Sequence, residues 1–127
     1  ERRLEIIGVQ VNRDEKLVDR YIEDPYCGGI FTSSFFYDFL RGLKMITRRK
    51  NLEAVPKNLP IYIFSGSMDP VGGFGKGVEK LKEMYETHGL KEVSLVLYPE
   101  GRHEMLNEIN RDEVIEDIVR WLNKILI

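Results

Sequence analysis

Pro60-Ile61-Tyr62-Ile63-Phe64-Ser65-Gly66-Ser67-Met68-Asp69-Pro70-Val71-Gly72-Gly73 is the stretch on which the rest of this 127-residue chain turns. Ile61 to Phe64 form a short apolar, β-favouring run behind a proline, the pattern of a strand buried on both faces. Ser65, Gly66, Ser67, Asp69 and Pro70 are turn formers. Asp69 is therefore expected just past the carboxyl end of that strand, where open α/β sheets gather their chemistry. An Asp-Pro pair is most often only a turn, so Asp69 needs a partner before it reads as chemistry.

Downstream, Phe74 to His88 carries Val78, Leu81, Met84, Tyr85 and His88 at helical spacing, and Gly89 suits a left-handed helix stop. A second buried strand is expected over Val93 to Tyr98. Two parallel strands joined by a helix bring both carboxyl ends to the same edge, so Asp69 and the loop after Tyr98 are expected to be neighbours. That loop reads Pro99-Glu100-Gly101-Arg102-His103-Glu104. Asn110 and Glu113 have capping-box spacing ahead of a last helix, whose apolar face of Ile115, Ile118, Val119, Leu122, Ile125 and Leu126 is expected on the sheet.

Upstream the pattern is helical. Asn12 and Glu15 also have capping-box spacing, ahead of Leu17, Val18, Tyr21 and Ile22 on one helix face, and Asp24-Pro25 ends that helix. Thr32 or Ser33 caps a second helix carrying Phe35, Phe36, Phe39, Leu40, Leu43 and Ile46. So aromatic a stripe reads first as a core face and second as a lid over an apolar substrate pocket. The proline-punctuated Val55 to Leu59 separates a mostly helical segment, residues 1–54, from a strand-helix-strand-helix segment, residues 55–127. Residues 1–11 alternate loosely and fit a strand or an extended lead-in.

Composition narrows the function class. A formal charge of -2 leaves no nucleic-acid footprint, and Arg48-Arg49-Lys50 reads as a solvated helix end. No apolar run reaches the length of a membrane span, and no signal peptide is apparent. The single cysteine, Cys27, forms no internal disulfide and points to a reducing, cytoplasmic setting. The glycines from Gly72 to Gly77 miss both the G-x-G-x-x-G and the phosphate-loop spacing, so no nucleotide is expected. His103-Glu104 opens like a zinc motif, but Asn107 stands where the second histidine belongs. No metal and no cofactor are expected, and His88 reads as a structural histidine.

The pair that survives is Asp69 with His103. Acyl transfer needs a base for the nucleophile's proton and a carboxylate that holds the imidazole tautomer and stabilises its charged form. In the order Ser, Asp, His, the acid follows one late strand and the histidine follows the next.

Gly66-Ser67-Met68-Asp69-Pro70-Val71-Gly72, Gly75-Lys76-Gly77-Val78, Tyr98 to Glu104 and Asn107-Glu108 together resemble the C-terminal part of bacterial α/β-hydrolases of the lysophospholipase and monoacylglycerol-lipase type, the serine aminopeptidase S33 family. Arg13-Asp14-Glu15, Asp24-Pro25, Cys27-Gly28 and Phe31-Thr32 are similar to that family's cap, so the resemblance runs from about Asn12 to the end. It implies an α/β-hydrolase fold, with Asp69 as triad acid and His103 as triad base. It also implies residues 1–54 as cap, an acyl site lined by Phe35, Phe36 and Phe39, and an apolar acyl ester as substrate.

The chain departs from the family in lacking a G-x-S-x-G elbow, since Ser33, Ser34, Ser65, Ser67 and Ser94 all lack the flanking glycines. The expectation is a cap plus the last two strands of a larger hydrolase, inactive alone. Its uncovered sheet would associate with a preceding part or a second copy. The competing expectation is a non-enzymatic partner- or ligand-binding α/β module, in which Asp69 and His103 lie apart.

Overall fold

The computed structural model describes residues 11–126; the lead-in expected over residues 1–11 falls outside them apart from Val11. In chain order the elements are α1 Glu15–Glu23, α2 Ser33–Ile46, α3 Arg49–Glu53, β1 Ile61–Gly66, α4 Lys76–Thr87, β2 Val93–Tyr98, a 3-10 turn Met105–Asn107 and α5 Arg111–Leu126. β1 and β2 pair in parallel and in register, from Ile61 beside Val93 to Gly66 beside Tyr98. Their carboxyl ends therefore stop at the same level, and α4 is the crossover between them.

Local chemistry explains most boundaries. Leu17, Val18, Tyr21 and Ile22 are half-buried on one face of α1, as their spacing predicts. The cap of α1 is a correction: Asp14, not Asn12, receives the N–H groups of Lys16 and Leu17. Asn12 is instead buried, and its side-chain oxygen accepts from the Asp14 N–H at 2.9 Å. Thr32 caps α2 by accepting from the Phe35 N–H. α4 starts two residues later than Phe74, because Phe74 and Gly75 take positive φ of 56° and 86° in the preceding turn. It ends as expected: Gly89 at φ 89° donates to Glu86 O, and Leu90 donates to Tyr85 O, a Schellman stop closed by the buried Leu90.

The core sits where β2, the 3-10 turn and α5 meet. Tyr98, Met105 and Val114 are buried together, with Phe64, Val96 and Ile118 packed around them. α5 packs on the sheet through Val114, Ile118 and Trp121, and Trp121 stacks on Tyr62 at 5.3 Å. This corrects part of the expected face: Ile118 packs on the core as expected and Ile125 is half-buried, but Ile115, Val119, Leu122 and Leu126 form the adjacent stripe and are exposed. The strands differ from expectation too. Ile61 to Phe64 are half-buried rather than buried, because β1 and β2 have no further strand beside them among the described residues.

Candidate active site

The turn after β1 and the loop after β2 cross at two glycines. A Cβ on Gly66 would lie 2.0 Å from the Gly101 carbonyl carbon and oxygen, so only glycine lets the two main chains touch. Hydrogen bonds lock the crossing: Ser67 N–H donates to Tyr98 O at 2.9 Å, and Met68 N–H donates to Gly101 O at 2.9 Å. The Ser67 hydroxyl accepts from the Glu100 N–H at 2.9 Å. This fixes Glu100 at φ 59°, a left-handed conformation unusual for glutamate. Both loops thus carry strained residues, Phe74 and Glu100, a feature that gathers at functional sites.

Asp69 is 5% exposed, and three groups orient its carboxylate. Oδ1 accepts from the Val71 N–H at 2.8 Å, closing an Asx turn. Oδ2 faces the Ser65 hydroxyl at 3.5 Å and His103 Nδ1 at 3.2 Å. The structure therefore brings together the two residues that topology expected to be neighbours. His103 is half-exposed, and its Nδ1 faces the acid. With the proton on Nδ1, Nε2 on the far side of the ring keeps its lone pair and can act as a base.

Phe35, Phe36 and Phe39 are placed differently. All three lie exposed on α2. Their ring contacts are with one another and with Phe31, including Phe31 on Phe35 at 4.4 Å and Phe35 parallel to Phe39 at 6.0 Å. The stripe is thus not the core face that such a pattern first suggests. A cavity of about 380 Å³ opens elsewhere, lined by Asn12, Arg13, Glu15, Val18, Asp19, Ile22 and Arg102, and neither Asp69 nor His103 reaches it. His88 caps α4, with Nδ1 2.8 Å from Met84 O. Among the described residues no cluster of His, Cys, Asp or Glu could hold a metal ion, and no helix is long and apolar enough to cross a membrane.

Sequence reasoning gave no role to Glu108, which is fully buried. Its Oε1 accepts from the Arg102 N–H at 2.9 Å, and its Oε2 pairs with Arg13 Nε at 2.9 Å. The only signal was its place in the stretches that carry the family resemblance.

The family described as serine aminopeptidase, S33 matches residues 3–110, which extends the resemblance toward the N-terminus and stops short of α5. Among solved structures, a highly thermostable carboxyl esterase from Bacillus coagulans in complex with glycerol is 33% identical with a TM-score of 0.77, the match covering 90% of this chain and 37% of the esterase. A lipase in its open form is 31% identical with a TM-score of 0.73, over 88% of this chain and 36% of the lipase. The chain thus spans little more than a third of the solved chains it matches. With the family matched across residues 3–110 and the fold shared at more than 30% identity, this chain belongs to the serine aminopeptidase S33 family of α/β-hydrolases.

Proposed function

We propose that this chain supplies the acid and base of a carboxylic ester hydrolase of the lysophospholipase or monoacylglycerol-lipase type. The observation that carries the reading is the buried Asp69 carboxylate 3.2 Å from His103 Nδ1, at the carboxyl ends of two parallel strands. A binding module has no need of that contact. The nucleophile is a serine outside this sequence. Its Oγ bonds to the ester carbonyl carbon as its proton passes to His103 Nε2, while Asp69 holds the imidazole and stabilises its charged form. The tetrahedral intermediate then collapses. The carbon–oxygen bond to the alcohol breaks, and the proton on Nε2 goes to the departing oxygen. Water repeats the sequence on the acyl-enzyme and releases the acid.

In this reading residues 1–54 form the cap, and Phe35, Phe36 and Phe39 face an apolar acyl chain. The half-buried strands and the bare stripe of α5 are covered by the rest of the hydrolase. A reducing cytoplasm suits the free Cys27. The test is made in the gene product that joins this chain to an elbow serine. His103→Ala is expected to lower kcat for short monoacylglycerol esters by about 10⁵-fold or more, and Asp69→Asn by about 10⁴-fold. Unchanged ester hydrolysis in His103→Ala, or a gene product without an elbow serine, overturns the proposal. The 127-residue chain alone is expected to resist labelling by a fluorophosphonate.

A further inference from the structure

The N–H groups of both residues beside His103, Arg102 and Glu104, are tied to the short segment just before α1, one directly and one through an ion pair. On one side, the Glu104 N–H donates to Val11 O at 2.8 Å. On the other, the Arg102 N–H donates to the buried Glu108 carboxylate at 2.9 Å, and that carboxylate is held by Arg13 Nε, also at 2.9 Å. Arg13 is fixed in turn by Asn110 Oδ1 at 3.0 Å, and Arg102 Nη1 reaches Asn12 O at 3.3 Å. The tie spans 95 residues of sequence between Arg13 and Glu108. A carboxylate buried completely is expensive unless paired. Here its oxygens take the two partners that connect the histidine loop to the lead-in of α1, along with the Ile109 N–H at 3.3 Å.

We infer that Glu108 and Arg13 are positioning residues for His103: the ion pair holds the imidazole at hydrogen-bonding distance from Asp69 and makes that distance depend on how the Val11–Arg13 segment is seated. The inference rests on the acid–base reading of Asp69 and His103. Only one direct bond, at 3.2 Å, joins the imidazole to the acid, while the half-exposed ring has little packing to hold it. The main-chain ties of the neighbouring Arg102 and Glu104 therefore set its place. Loosening either tie lets the ring drift, and a drift of about 1 Å lowers turnover by roughly 100-fold.

The test uses the elbow-bearing gene product with Glu108→Gln and Arg13→Lys, each made also in a His103→Ala background. Glutamine keeps an oxygen for the Arg102 N–H but loses the charge that holds Arg13. Lysine keeps the charge but loses the fork that grips Glu108 and Asn110 together. In the His103-containing enzyme each variant is expected to lower kcat by about 10- to 100-fold, with KM within about twofold. In the His103→Ala background neither changes the residual rate by more than about twofold, because the positioned group is gone. Equal losses in both backgrounds mean a merely structural role and overturn the inference, as does full kcat in Arg13→Lys. If Glu108→Gln fails to fold, Arg13→Lys decides alone, since Arg13 retains some exposure. Activity that survives His103→Ala undiminished instead sinks the acid–base reading itself, so the two failures are told apart.

Discussion

Replacing Gly66 by alanine probes the crossing on which the site is built. The new Cβ would lie 2.0 Å from the Gly101 carbonyl carbon and oxygen and 2.4 Å from Arg102 N. Carbon atoms rest about 3.5 Å apart, so the two loops must separate by about 1.5 Å. The obstacle is main chain, which cannot swing aside as a side chain can. That separation breaks the 2.9 Å bond from Met68 N–H to Gly101 O. Overpacking of this kind costs about 1–3 kcal/mol and the lost hydrogen bond about 1 more, together about 2–4 kcal/mol. With a urea dependence near 1.5 kcal/mol per molar, the unfolding midpoint falls by about 1–3 M. Circular dichroism during urea titration measures it. Gly29→Ala is the control, since a Cβ there meets nothing within 4 Å. A Gly66→Ala midpoint within about 0.3 M of the unsubstituted chain refutes the reasoning.

Gly89→Ala, by contrast, meets only Lys57 Cδ at 3.8 Å, so its loss is conformational, from φ 89°. It is expected to destabilise by about 1–2 kcal/mol in the same titration, without altering the Asp69–His103 contact. Glu100→Gly should stabilise by about 0.5–1 kcal/mol, because it relieves a left-handed glutamate whose side chain is 85% exposed. A lower midpoint contradicts that. Burial, then the neighbouring Tyr62 and Asp117, hold the Tyr98 hydroxyl well above the ordinary tyrosine range. Unfolded, it ionises near pH 10, so above about pH 10 the native state keeps a proton that the unfolded state has lost. Stability therefore declines as pH rises, by up to about 1.4 kcal/mol per pH unit, and Tyr98→Phe is expected to flatten that decline. An equal slope in both proteins counts against it.

What the sequence made legible was local or topological. The Thr32 cap, the Asp24-Pro25 end of α1, the Gly89 stop, the start of β1 and the limits of β2 all follow from residues within one turn of the feature, whereas β1 runs on through Ser65 and Gly66, which by composition read as turn. The meeting of Asp69 and His103 followed from parallel strands sharing an edge. What was missed depends on partners far along the chain. Asn12 has the composition of a cap, but its carbonyl is held by Arg102, 90 residues away, and the cap moved to Asp14. Glu108 looks like any surface glutamate until Arg13 is brought beside it. In α5 two apolar stripes run side by side, and periodicity alone could not choose which of them β2 and Met105 would cover.

The in-register pairing of β1 with β2 has a bearing on which changes in length this site tolerates. Adding one residue to either strand would advance its loop by about 3.3 Å and turn every later side chain of that strand to the other face. Asp69 or His103 would then point away from its partner. The crossover carries no such constraint, because both of its ends are pinned by the strands. Glu86 and Thr87, exposed in its last turn, and Lys91 and Glu92, exposed before β2, are therefore the places where insertions and deletions leave the pair undisturbed.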